Sequence, residues 1–525
     1  MANHTVSPRD LKNMLHDGNE IALLDVREDG QFGEGHLLFA TPLPYSRLET
    51  GIATLVPRKN TRIVLCDDGD GVAERAVKRL AAIGYTDLAV LAGGNPAWAA
   101  AGYAIFKGVN VPSKLFGELV EHVYDTPRVT VTELAEMKKR NEDFIIVDGR
   151  PLAEYEKMNI PGGICCPNAE LPLRIRQIVT NPKTKIIVNC AGRTRSIMGA
   201  QTLRNFGIDN PVYALENGTQ GWVLAGFELE RGATRKYPGA YDAAALPALQ
   251  ANAQKLMARF KVRSVSAQEA TDWLADGNRS LYLLDVRTPE EFAAGSLAGA
   301  QHAPGGQLVQ ATDQWAGVRN ARILLADSEG VRAPVVASWL KQLGCDVYVL
   351  ESGVNSGFKL PVPARAKLPD MPAISANDLK KALDAKSCPA FYLGPSTNYR
   401  KQHVPGSRWS IRTRLAKDVA GAKSVVLITR DSDVARAAAI DLREAGINDV
   451  KLLEGGLVTW TNAGHTLEAS PNVPADADCI DYLFFVHDRH AGNLDAMRQY
   501  LAWETGLMAQ LDAQDKASFK VGASV

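Results

Sequence analysis

The sequence predicts an α/β fold: four tandem units, each a parallel sheet with helices on both faces, followed by a helical C-terminal tail. Three observations predict it. The chain repeats itself, with Ala22-Leu-Leu-Asp-Val-Arg27, Ile145-Ile-Val-Asp-Gly-Arg150 and Tyr282-Leu-Leu-Asp-Val-Arg287 as three versions of one strand. The distance from that aspartate to the end of the next apolar run holds, at 41 positions for Asp25 to Cys66, 42 for Asp148 to Cys190 and 41 for Asp285 to Ala326. Within each unit, short apolar runs alternate with amphipathic stretches, the pattern of a parallel sheet covered on both sides.

In chain order, the first unit (1–108) carries Ile63-Val-Leu-Cys66, a helix to Gly84, and Leu91-Ala-Gly-Gly-Asn-Pro-Ala-Trp98. The second (127–231) carries Ile187-Val-Asn-Cys190, a helix to Gly207, and Leu215-Glu-Asn-Gly-Thr-Gln-Gly-Trp222. The third (261–360) carries Ile323-Leu-Leu-Ala326, a helix to Gly344, and Leu350-Glu-Ser-Gly353. The fourth (373–470) lacks Asp-x-Arg but keeps Val426-Leu-Ile-Thr429, a helix to Gly446, and Leu453-Glu-Gly-Gly-Leu-Val-Thr-Trp460. Each closing motif reads as a tight turn into a short helix, with its tryptophan in the core.

Residues 109–126 and 232–260 join units, the second with a helical pattern from Ala243, and the proline-rich stretch 360–372 reads as extended. In the tail (471–525), Ile480-Asp-Tyr-Leu-Phe-Phe-Val486 reads as a strand. Leu494, Met497, Leu501 and Met508 read as the apolar face of a helix that packs on another domain or a second subunit, so a homodimer through the tail is an expectation. His487 and His490 are read as part of a solvated turn in preference to a metal pair.

Formal net charge is zero over 525 residues, which points away from nucleic acid or an acidic membrane surface as partner. The start lacks the basic-then-apolar pattern of a signal peptide, and no apolar run is long enough to span a bilayer. Seven scattered cysteines, an odd number, make no disulfide framework. A reducing cytoplasm is the expected setting, with no metal and no cofactor.

The chemistry concentrates at Lys185-Ile-Ile-Val-Asn-Cys-Ala-Gly-Arg-Thr-Arg-Ser-Ile-Met198. An apolar run ends at Cys190, a polar loop follows, and a helical pattern runs from Ser196 to Gly207. A cysteine where a strand hands over to a helix lies where open α/β sheets place ligands, with the helix dipole aimed at its sulfur. Arg193 and Arg195 add two cations. A free thiol with pKa ~8.5 is about 3% ionised at pH 7, and a drop of ~2 units, worth ~2.7 kcal/mol, makes thiolate the main form. A helix end supplies ~0.3–1 kcal/mol and a guanidinium ~6 Å away ~3 kcal/mol before screening. A lone cysteine here reads as buried and inert; the glycine and two arginines make it read as reactive. The Asp-x-Arg pair, Asp148 and Arg150 in this unit, reads as a structural ion pair in preference to a direct catalytic role.

With these motifs in order, residues 1–470 resemble a tandem array of rhodanese domains, the sulfurtransferase family, and best match a four-domain bacterial member acting on thiosulfate. The resemblance implies that Cys190 is the nucleophile, taking a sulfane sulfur from a donor such as thiosulfate, holding it as a persulfide and passing it to cyanide or a thiol. It implies that the backbone N–H groups from Ala191 through Gly192, Arg193, Thr194 and Arg195 to Ser196 cradle the sulfur, with the arginines attracting an anionic donor. Gly192 is expected to let the loop curl. Cys66 is placed at the equivalent point of the first unit, beside Asp67, Asp68 and Asp70, where carboxylates disfavour thiolate. It reads as vestigial in preference to a sulfur relay. Ala326 and Thr429 are placed at the equivalent points of the third and fourth units, which then serve as scaffold. Cys165 and Cys166 read as packing.

Two other readings stand beside this one. A phosphatase or arsenate reductase on this fold uses Cys-x5-Arg; here Ser196 stands where that arginine belongs, and Arg195 gives Cys-x4-Arg. A non-catalytic adaptor would bind partners through the inactive units and coexist with catalysis.

Overall fold

The structure, a computed structural model, describes residues 4–489 and 492–522. His490 lies outside the described residues. The chain divides into two compact bodies. One comprises residues 1–12, 22–109 and 363–484, and so unites the first and fourth units. The other comprises residues 13–21, 110–362 and 485–525, and so unites the second unit, the third and the end of the tail.

All four sheets are parallel. In the first three, the five strands lie in one spatial order: first, fifth, fourth, second, third in chain order. In the second unit these strands are Arg128–Val129, Phe144–Asp148, Ile164–Cys165, Lys185–Asn189 and Val212–Leu215. The fourth sheet keeps the order without its first strand, whose place is held by a single parallel bridge from Ala373 to Leu452. Central strands such as Lys185–Asn189 are buried on both faces because helices cover both sides, which is why they read as unbroken apolar runs. The closing tryptophans repeat one geometry. Trp98, Trp222 and Trp460 are buried, and each indole N–H donates to the carbonyl six residues on, at Ala104, Glu228 and Thr466.

Two stretches differ from their sequence reading. Residues 109–126 are mostly helix, Val111–Tyr124, here called the linker helix; Pro112 fits its first turn, and Val111, Leu115, Phe116, Leu119 and Val120 form a buried face. The run 480–486 is no strand. It turns at Cys479–Tyr482 and enters a short helix, Phe484–Asp488. Its apolar side chains scatter instead: Leu483 fills the space beside Gly33 of the first unit, Ile480 packs against the core of the fourth and Phe485 lies against Trp503, while the Ile480 carbonyl accepts from Gln31 N–H at 3.1 Å. A short apolar run fits strand and docked loop alike. Further on, Leu494–Gly506 forms the tail helix, with Met497 and Tyr500 buried.

A charge cluster holds the third unit to the second. Arg332, fully buried, meets Glu170 at 2.9 Å, Glu291 at 2.6 Å and Glu329 at 2.7 Å. Burial alone would raise the Glu291 carboxyl, but Arg332 outweighs it and holds it down from its ordinary 4.5 to about 2. A depressed folded-state pKa gives stability that is complete above the unfolded value and drains away as pH falls through the folded one. About 2 kcal/mol from this group is therefore expected to be lost between pH 5 and pH 3. Urea unfolding at the two pH values should show the loss, smaller by that amount in Glu291→Gln; equal losses in both proteins would refute the assignment.

Candidate active site

Register places the cysteine. In the first and third units the 41-residue spacing pairs Asp25 with Cys66 and Asp285 with Ala326 inside the sheet. In the second unit the extra residue pairs Asp148 with Asn189, so Cys190 stands one position beyond the strand and enters the loop. This corrects the sequence equivalence. The counterparts of Cys190 are Asp67 and Asp327, with Thr429 in the fourth unit. The closing motif confirms the correspondence. Backbone N–H groups of Asn95, Thr219 and Val354 donate to the carbonyls of Asp67, Cys190 and Asp327 at 2.8–2.9 Å. Gly218, at φ 52°, presses so close to the Cys190 carbonyl that a Cβ there would overlap it.

The loop is a row of unanswered donors. Among the described residues, the N–H groups of Ala191, Gly192, Arg193, Thr194 and Arg195 reach no acceptor, although all five residues are buried or nearly so. Buried N–H groups are otherwise almost always paired. The sister loops show what they hold. Asp67 accepts from Gly69 N–H at 2.8 Å and Ala73 N–H at 2.9 Å. Asp327 accepts from Gly330, Val331 and Ala333, each at 2.9 Å. Thr429 Oγ1 accepts from Asp431 N–H at 3.1 Å. A side chain at this position therefore lies in a nest of backbone donors, and in two units that side chain is a carboxyl group, which at Asp327 burial and the neighbouring Glu329 push up to about 7.

The loop helix begins at Thr194, two residues before the sequence reading, and runs to Phe206. Ser196 does not offer its N–H to the nest. That group donates to the Arg193 carbonyl at 3.1 Å, and its hydroxyl donates to the carbonyls of Arg193 and Leu215. Gly192 keeps an ordinary φ. Its missing Cβ makes room for Gln220 Nε2 and Glu504 Oε2, which would lie 3.3 and 3.1 Å from it. Gln220 also donates to the Ala191 carbonyl at 3.0 Å, and Asn168 donates to the Arg195 carbonyl at 2.8 Å.

The two arginines part ways. Arg193 is taken by the linker helix, with Glu118 at 2.8 Å and Glu121 at 2.6 Å, so its charge is answered before any donor arrives. Arg195 pairs with Glu154 through two bonds of 2.8 Å. Burial works against its charge, yet Glu154 outweighs burial and raises its pKa, with Cys190 and Asp148 adding. Arg195 thus keeps its charge within the loop.

Asp148 and Arg150 are buried and locked together, Nε to Oδ1 at 2.8 Å and a terminal nitrogen to Oδ2 at 2.7 Å. Arg150 also donates to the Met158 carbonyl at 2.6 Å, and Asn189 Nδ2 donates to Asp148 at 2.9 Å. Arg27–Asp25 and Arg287–Asp285 repeat the pair, each arginine reaching the carbonyl eight residues on, at Gly35 and Gly295. This ion pair fixes the sheet end from which Cys190 departs.

Cys66, Cys165 and Cys166 are buried. Burial pushes the Cys66 thiol well above its usual value, with Asp25, Asp67 and Asp68 adding against Arg27. Burial likewise raises Cys165 to about 12, and Cys166 well above the ordinary value. No group of three or more metal-ligating side chains stands together among the described residues, and among them no helix is long and apolar enough to cross a membrane.

Comparison with known proteins agrees with this geometry. A family profile described as "Rhodanese-like domain" matches residues 7–101, 130–225 and 266–358. A solved structure of thiosulfate sulfurtransferase from Pseudomonas aeruginosa is 40% identical with a TM-score of 0.90, covering 98% of this chain and 99% of that one. Probable adenylyltransferase/sulfurtransferase MoeZ of Mycobacterium tuberculosis is 34% identical over 97 residues, 18% of this chain and 24% of that protein. The putative sulfur carrier protein YrkF of Bacillus subtilis is 26% identical over 103 residues, 20% of this chain. The chain spans about a quarter of the MoeZ length and about half of YrkF. With three matched repeats, a near full-length relative and a fourth sheet of the same order, the chain belongs to the rhodanese-like family and is a sulfurtransferase of the rhodanese-domain type.

Proposed function

We propose that this enzyme moves a sulfane sulfur from a donor such as thiosulfate to cyanide or a thiol by double displacement through a persulfide on Cys190. The observation that carries the reading is the nest: among the described residues five unpaired N–H groups follow Cys190, where two sister units hold a carboxyl group at the same position. Such a nest offers its donors to the sulfur during transfer and then holds the persulfide. In the first displacement the thiolate attacks the outer sulfur of the donor. The sulfur–sulfur bond breaks, and sulfite leaves with the electron pair. Arg195 offsets the charge at the sulfur, while Arg193, Thr194 and Ser196 hold the loop in shape around Gly192 and Ala191. Asp148 and Arg150 act as support. Thiosulfate as donor is supported by the name of the Pseudomonas relative.

Cys66 carries no sulfur in this scheme, because it lies within the strand and beside carboxylates. The first, third and fourth units serve as scaffold, since Asp67, Asp327 and Thr429 offer no thiol. A reducing cytoplasmic setting is supported by the scattered cysteines, and a tail-mediated homodimer by the exposed Leu494 that opens the tail helix.

Incubation with thiosulfate is expected to add the mass of one sulfur to Cys190, and cyanide to discharge it as thiocyanate. Sulfur found on any other cysteine, or on none, would overturn the proposal.

A further inference from the structure

The tail helix reaches the site through Glu504. This carboxylate is completely buried, 310 positions along the chain from Thr194, whose hydroxyl donates to its Oε1 at 2.7 Å. Lys114 of the linker helix pairs with the same oxygen at 3.1 Å. The other oxygen, Oε2, has no partner among the described residues and lies on the Gly192 side, against the loop. Burial opposes the charge, yet Lys114 and Thr194 outweigh it and hold the carboxyl below its usual range. An acceptor with free lone pairs thus stands at the side-chain face of Gly192, in the loop that follows Cys190. A group serving only as a staple gains nothing from leaving one buried oxygen unpaired.

We infer that Glu504 is a specificity-determining residue of the sulfur-transfer site: its free oxygen receives the S–H of an incoming thiol and slows, without preventing, loading from an oxyanionic donor. This rests on Cys190 as the sulfur carrier. Arg193 is matched by Glu118 and Glu121, Arg195 by Glu154 and Lys114 by Glu504 itself, while Arg489, stacked on Tyr500, adds to the field at Glu504. A dianion such as thiosulfate brings no hydrogen to Oε2 and meets it as a like charge. A thiol brings a hydrogen. In the discharge step the thiol sulfur bonds to the outer sulfur, and the bond from that sulfur to Cys190 breaks with its electron pair left on Cys190. The thiol proton ends on the transferred sulfur, giving R–S–SH, and the step needs no oxidant.

The test uses the full chain with Glu504→Gln and measures each half-reaction in single turnover. The amide oxygen keeps Thr194 and Lys114, and the NH2 turned toward Gly192 replaces an acceptor by a donor. Loading from thiosulfate is expected to speed up about five-fold, discharge to glutathione to slow about ten-fold, and discharge to cyanide, which has no S–H, to change less than about two-fold. Parallel loss of all three, or no change, would overturn the inference. If Glu504→Gln does not fold, Glu504→Asp carries the test. Its charge remains but its reach shortens, so glutathione discharge falls about five-fold while thiosulfate loading stays within about two-fold; a joint fall, or no change in the glutathione step, overturns the inference. Persulfide formation with unchanged selectivity would reject Glu504 alone, whereas absence of the persulfide in the unmodified chain would reject the mechanism itself.

Discussion

Replacing Cys190 by serine is expected to lower thiosulfate:cyanide turnover at least about a thousand-fold, because an alkoxide is not available at neutral pH and no other sulfur stands in the nest. Cys66→Ser is expected to leave turnover within about two-fold, since Cys66 lies in the strand rather than the loop. Cys190→Asp separates the chemistry from the architecture. It copies the first and third units, where Asp67 and Asp327 already occupy the nest. This variant should be as inactive as the serine form, yet match or exceed the parent in stability by about 1–3 kcal/mol, as charge-assisted bonds fill the unpaired donors. Urea midpoints beside the steady-state assay check both parts. Residual turnover in Cys190→Ser above a hundredth of the parent would remove Cys190 from the mechanism. Unfolding of Cys190→Asp would remove the nest.

The repeat and the parallel sheets were legible in the sequence because each is a local pattern recurring at fixed spacing, and the cysteine loop stands out against its three sister loops. The spacing also held a distinction that reading it as agreement passes over. One additional residue between Asp148 and Cys190 moves the cysteine out of the ladder, and in a sheet a one-residue slip changes what faces the site. Taken literally, 42 against 41 already separates Cys190 from Cys66 and Ala326. The carboxylates around the loop were not legible. Glu118 and Glu121 arrive on a helix that reads as a joining segment, Glu154 on the short helix after Asp148, and Glu504 from the far end of the chain. Such partners are chosen by packing, which leaves no periodic trace. The run 480–486 failed for the same reason: its apolar residues answer to separate surfaces, Leu483 to the first unit, Ile480 to the core of the fourth and Phe485 to Trp503, not to a neighbouring strand.

Asp148→Ala is expected to destabilise the second unit by about 3–5 kcal/mol, the cost of leaving a buried guanidinium uncompensated. Arg150 is 2% exposed, and without Asp148 its remaining side-chain hydrogen-bond partner among the described residues is the Met158 carbonyl. Burial already opposes its charge, and it is Asp148 that raises its pKa over that opposition. Asn189 loses its acceptor at the same time, at the very residue that precedes Cys190. Asp148→Asn retains one acceptor and the packing, so a smaller loss of about 2 kcal/mol is expected. The equivalent changes at Asp25 and Asp285 should cost similar amounts in their own units, because the bidentate pair and the carbonyl eight residues on are reproduced there. Chemical unfolding of the three alanine variants decides between two roles. If Asp148 works on the substrate, its variant alone loses turnover while keeping its midpoint. If it holds the sheet end, all three lose stability, and turnover in Asp148→Ala falls with the geometry of the loop that Asn189 leads into.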